Sequence, residues 1–130
     1  MKAANSVLDA SAILALLQQE PGAENLTDKV LENAVASSVN LAEVQTKLVA
    51  KGLDPDDAWQ DATSMLTAIE PFTGEQAKLA GALVRQTKRV GLSLGDRACL
   101  ALAISLGADV YTTEKLWKNL KLGIRIHLLR

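Results

Sequence analysis

Short apolar runs separated by helix-length amphipathic segments constrain this chain more than any of its other features. Ser6-Val7-Leu8, Ala34-Val35-Ala36-Ser37, Ala68-Ile69-Glu70-Pro71-Phe72, Ala108-Asp109-Val110-Tyr111-Thr112 and Ile124-Arg125-Ile126-His127-Leu128 each read as a short strand. Between them the spacing predicts helices over 10–19, 23–33, 40–51, 54–66, 74–89, 94–106 and 114–120. Pro21-Gly22 breaks the first helix, Asp54-Pro55 caps and starts the fourth, and Gly107 ends the sixth. Pro71 places the third strand at an edge, because proline cannot donate to a central ladder. The 94–106 segment is apolar almost all round and is expected to be buried. Strands that alternate with helices pair in parallel through crossovers and are covered on both faces. The expected fold class is α/β, with residues 1–130 as one domain.

Composition narrows the chemistry. The chain has 130 residues, 48% hydrophobic and 22% charged, which suits a folded globular domain rather than a disordered one. No apolar run approaches the length of a membrane span, about 18 residues. Met1-Lys2-Ala3-Ala4-Asn5 leads straight into the first strand, and the apolar stretch that follows holds Asp9, so no signal peptide is expected. Cys99 is the only cysteine and has no internal disulfide partner, which makes a reducing cytoplasm the expected compartment. His127 is the only histidine, too few for a histidine zinc site and a poor basis for a Ser-His-Asp triad. Carboxylates, hydroxyls and amines are left to do the work.

Four acids stand where an open parallel sheet places its sites, beyond the carboxyl ends of the strands. Asp9 follows the first strand, Glu43 lies early in the helix after strand 34–37, Asp96 opens the buried helix, and Glu114 comes two residues past strand 108–112. Asp109 enters its strand from the opposite end and stays outside this group. Four carboxylates at one edge call for a cation between them, and Mg²⁺ or Mn²⁺ suits oxygen ligands. Such a site activates water and stabilises charge on a phosphodiester. Local structure explains the same residues equally well: Asn40-x-x-Glu43 and Ser93-x-x-Asp96 read as capping boxes, Asp9 or Ser11 as an N-cap, and Glu114 as a dipole partner.

The wording of these segments separates the two readings. Val7-Leu8-Asp9-Ala10-Ser11-Ala12-Ile13-Leu14 resembles the opening motif of PIN-domain nucleases, in particular the VapC-type toxins of toxin–antitoxin pairs. Asn40-Leu41-Ala42-Glu43-Val44 resembles their second motif, and Leu92-Ser93-Leu94-Gly95-Asp96-Arg97-Ala98-Cys99 their third. Tyr111-Thr112-Thr113-Glu114-Lys115-Leu116-Trp117 resembles the fourth. The resemblance implies a three-layer PIN-like domain with a parallel sheet of about five strands. It also implies a Mg²⁺- or Mn²⁺-dependent endoribonuclease acting on structured RNA of the tRNA or rRNA class. On this chain the metal-binding, catalytic carboxylates would be Asp9, Glu43, Asp96 and Glu114, with Ser11 and Thr112 in support. Glu114 departs from the aspartate more usual in the family; one methylene longer, it reaches metal through a water or holds its own helix. The family further implies a homodimer and a cognate antitoxin that sends a basic residue into the acidic site.

Charge is unevenly divided. Residues 1–84 hold five Lys/Arg against twelve Asp/Glu, and residues 85–130 hold nine against three. A positive rim near the third and fourth motifs would keep a polyanion from being repelled. Arg97 and Lys115, each directly after a proposed ligand, are the first candidates to hold RNA phosphates, followed by Arg85, Lys88, Arg89 and Lys118. Solvated helix faces account for the same charges. Trp117 is expected to pack a short helix, Cys99 to sit in the core, and His127 to be structural or at the surface. Two other functions are compatible with the chain. One is a catalytically weakened PIN-like domain that binds RNA or protein. The other is a phosphatase-type enzyme with Asp9 as nucleophile, which Ser11 at the position of the usual second aspartate disfavours.

Overall fold

The computed structural model describes residues 5–130; Met1 to Ala4, read above as the lead into the first strand, lie outside the described residues. Strands β1 (Ser6–Leu8), β2 (Ala34–Ser37), β3 (Ala68–Glu70), β4 (Asp109–Thr112) and β5 (Ile126–Leu128) form one sheet in the order β3-β2-β1-β4-β5. Every pairing is parallel, with Val7 opposite both Val35 and Val110 at the centre. The α/β expectation holds, and β3 occupies an edge as expected, although it ends at Glu70 and leaves Pro71 and Phe72 outside the strand.

Among the described residues, seven α-helices connect the strands: α1 (Ala10–Leu17), α2 (Asp28–Leu31), α3 (Ser38–Ala50), α4 (Pro55–Thr63), α5 (Gly74–Ala82), α6 (Val84–Thr87) and α7 (Leu94–Leu106). Side chains alternate across the pleat, so the three central strands feed two cores. Leu8, Ala34 and Ala36 pack with Ile13, Leu41, Val44, Leu48, Ala58 and Ala62 on one face. Val7, Val35 and Val110 pack with Leu83, Leu100, Leu102 and Trp117 on the other. The result is three layers. Helix α7 is buried along most of its length and ends at Gly107, whose φ of 62° is the left-handed conformation that glycine adopts without cost. No helix among the described residues is long and apolar enough to cross a membrane.

Helix boundaries depart from the sequence pattern for local reasons. The 23–33 segment is a 3₁₀ turn (Ala23–Asn25) followed by α2, because Thr27 leaves the helical path and its hydroxyl caps the Val30 amide at 3.3 Å. The first helix stops at Leu17, with Gln19 at φ 52°. Helix α3 starts at Ser38, earlier than expected, because Ser37 takes the N-cap. The fourth helix ends at Thr63 rather than near 66. The 74–89 segment divides at Leu83; there the buried Thr87 hydroxyl bonds the Leu83 carbonyl at 2.8 Å. Residues 115–119 form a 3₁₀ turn. It buries Trp117 as expected.

Candidate active site

The carboxyl edge of the sheet is built around Asp9. It follows β1 directly and caps α1, with Oδ1 accepting from the Ala12 amide at 2.8 Å and the Ser11 hydroxyl at 2.7 Å. Its Oδ2 accepts from the Thr112 hydroxyl at 2.6 Å, across from β4. Thr112 and Ser11 are themselves held: the Glu114 amide donates to Thr112 Oγ1 at 3.0 Å, and the Thr113 amide to Ser11 Oγ at 2.9 Å. Only 3% of Asp9 is exposed. Burial outweighs these hydrogen bonds, and with a smaller push from the Asp96 charge it raises the Asp9 carboxyl from 3.8 to about 6. Asp9 is the N-cap that local structure predicted, and Ser11 and Thr112 both bond its carboxylate. A carboxylate so enclosed is poorly placed to be a nucleophile.

Glu43 lies in α3 beside the first turn of α7. The buried Asn40 amide donates to Glu43 Oε1 at 2.9 Å and to the Gly95 carbonyl at 3.0 Å. The Asn40–Glu43 pair is therefore not a capping box, since Ser37 has already capped α3 and Asn40 reaches across to another helix. Ser93 and Asp96 do form one: the Ser93 amide bonds Asp96 Oδ2 at 3.0 Å and the Asp96 amide bonds Ser93 Oγ at 3.2 Å. Cys99 is fully buried, and its thiol is raised well above its ordinary value, first by desolvation and then by the charges of Asp9, Asp96 and Glu43. Cys99 is a core residue, as expected.

Glu114 differs from the other three. It precedes the 3₁₀ turn, is exposed, and its side chain caps nothing. Lys115 is exposed beside it. Arg97 is turned inward, donating from Nη1 to the Ala80 carbonyl at 2.8 Å, so it ties α7 to α5. At the far end of β4, Asp109 meets His127 Nε2 at 2.9 Å, and the His127 and Tyr111 rings stack with centroids 4.6 Å apart. A cleft of about 370 Å³ opens near them, lined by Gly107, Ala108, Asp109, Gly123, Ile124 and Arg125. It lies at the amino ends of β4 and β5, away from the acids.

The donor set at the carboxyl edge has the ligand chemistry of a hard divalent cation's site but not its gathered geometry. It offers only oxygen, and neither ion pair found among the described residues neutralises any of these acids. Among the described residues Glu43 Oε2 and Asp96 Oδ1 accept no hydrogen bond. The acids are not drawn into a cluster: no group of three or more His, Cys, Asp or Glu side chains among the described residues is gathered closely enough to hold a metal. Sequence reasoning missed Asn40 and Gly95 as parts of this edge. A glycine inside the first turn of an otherwise apolar helix was the available signal.

Comparison with solved structures finds the same architecture. A toxin–antitoxin complex from Klebsiella pneumoniae matches with a TM-score of 0.78 at 17% identity, covering 97% of this chain and 98% of that one. DNA-bound VapBC from Salmonella typhimurium matches with a TM-score of 0.76 at 19% identity, covering 98% and 100%. The sarcin-ricin loop cleaving toxin VapC20 of Mycobacterium tuberculosis matches with a TM-score of 0.70 at 17% identity, covering 93% and 99%. No curated protein matches the sequence. The PIN domain family model matches residues 6–121, a span that holds all four acids. The chain belongs to the PIN domain family.

Proposed function

We infer that this protein is a Mg²⁺- or Mn²⁺-dependent endoribonuclease, the toxin of a type II toxin–antitoxin pair. The observation that carries the reading is the buried Asp9, held by Ser11 and Thr112, at the same sheet edge as two further carboxylates that have no cationic partner among the described residues. Asp9, Glu43 and Asp96 would hold the ion, with Glu114 completing the site from its exposed position, and the bound ion would supply an activated water and offset charge on the phosphodiester. Ser11 and Thr112 fix the Asp9 carboxylate and partly offset the cost of its charge in a buried position. Lys115 takes an RNA phosphate at the rim, while Arg97 acts through the α5–α7 contact.

The substrate class is structured RNA of the tRNA or rRNA type, which the likeness to a sarcin-ricin loop cleaving toxin favours. A cognate antitoxin is the natural partner, given the toxin–antitoxin complexes with the same fold. Val49 and Trp59 remain exposed on α3 and α4 and suit a homodimer contact. The compartment is the cytoplasm. A second reading, a PIN domain that binds RNA without cutting it, is favoured by the exposed and unbonded side chain of Glu114.

The test is incubation of purified protein with total cellular RNA in Mg²⁺ or Mn²⁺, in EDTA, and as Asp96→Asn. Asparagine keeps an oxygen for the Ser93 amide, so the helix cap survives while the charge is lost. Discrete fragments that disappear in both controls are expected. Intact RNA with a folded, metal-binding protein would instead establish the binding-only reading.

A further inference from the structure

The contact between Glu43 and the first turn of α7 has a shape that packing alone does not require. Gly95 has no room for a side chain: a Cβ there would collide with the Glu43 carboxylate, while the helix backbone itself is ordinary. Glycine inside a helix is normally a weakness relative to alanine. Asn40, only 1% exposed, spends both amide hydrogen bonds on Glu43 Oε1 and the Gly95 carbonyl. Its own Oδ1 is buried without a partner among the described residues. An apolar side chain of the same shape would avoid that unsatisfied oxygen. Two residues therefore sacrifice local stability at one spot, and what they have in common is the position of one carboxylate.

We propose that Asn40 and Gly95 are positioning residues that form a seat for the Glu43 carboxylate against the first turn of α7, one residue from Asp96. Asn40 draws Oε1 inward and leaves Oε2 free, and the missing side chain of Gly95 is the space the carboxylate occupies. The inference rests on the metal-dependent reading, in which the seat would hold the Glu43 carboxylate in reach of a divalent cation. Because Glu43 is a flexible side chain, a methyl group at Gly95 displaces it without disturbing the backbone.

The test is titration calorimetry of the full chain with Mn²⁺, with thermal melts in EDTA alongside. Gly95→Ala is expected to melt no lower than the parent, as alanine favours the helix, and to bind Mn²⁺ about tenfold more weakly, the scale of lost outer-shell support. Asn40→Leu should behave the same way and serves as an independent variant. The decisive comparison is the double variant Gly95→Ala with Glu43→Gln. If Gly95 acts through Glu43, the double variant binds Mn²⁺ no more weakly than Glu43→Gln alone. Additive losses, or parental affinity in Gly95→Ala while Glu43→Gln is weakened, would overturn the seat and leave the metal site standing. A parent chain that takes up no Mn²⁺ would overturn the metal-dependent reading itself.

Discussion

Asp9 accepts from three donors, yet burial still pushes its carboxyl to about 6. The linkage follows directly. Between pH 3.8 and about 6 the folded state binds more protons than the unfolded chain, so stability falls as pH rises through that window. Above it, the ionised Asp9 costs the apo protein about 3 kcal/mol. Asp9→Asn should therefore melt higher than the parent at pH 8 in EDTA, with the gain vanishing near pH 4; thermal melts across pH check this. Asparagine keeps the Ala12 and Ser11 bonds through Oδ1, and Thr112 can turn its hydroxyl to accept. At this scale much of the site was legible, because Asp9 and Thr112 sit at strand ends where the pleat fixes direction and Ser11 falls in the first turn of α1. What was not legible is the contact between Asn40 and Gly95, which joins two helices 55 positions apart. Spacing within one helix made Asn40 resemble a cap, and only the packing of α3 on α7 reveals its second partner.

Helix α7 links the acids to the core. Its amino end carries Asp96 and faces Glu43, and its body forms much of the second hydrophobic layer. The Ser93–Asp96 capping box holds Asp96 Oδ2, so the same side chain serves the helix and the proposed ion. Ser93→Ala should cost about 1 kcal/mol of stability, the usual value of a lost N-cap. Urea denaturation monitored by far-UV circular dichroism would measure it. Elements with a strong apolar pattern, such as α7 and the central strands, were legible from sequence. Boundaries were not where a hydroxyl competes with the backbone: Thr27 splits one predicted helix, and Ser37 moves the start of α3. Both residues act through side-chain bonds that a hydrophobic period does not register.

For the whole molecule, the acidic first two-thirds and the basic last third meet around the proposed site. Exposed Arg85, Lys88, Lys115 and Lys118 belong to the basic part. RNA binding should weaken linearly with the logarithm of salt, and each lost phosphate contact should lower the slope by about 0.7 to 0.9. Lys115→Ala and Arg97→Ala then separate two roles. The first should reduce the slope in filter-binding assays, whereas the second should loosen α5 from α7 and lower the melting temperature without changing the slope.

The single cysteine lies fully buried in α7, the helix whose first turn carries Asp96 and meets Glu43. Its thiol is hard to ionise and out of reach of solvent, so a thiol-reactive dye can modify it only when the floor of the site opens. The native sequence thus contains its own clock for that opening. Labelling of Cys99 should be slow in the parent protein and slower still with Mn²⁺ bound, and mass spectrometry over time would read the rate without any added reporter. Labelling that is fast and indifferent to Mn²⁺ would mean that the floor opens independently of what the acids hold.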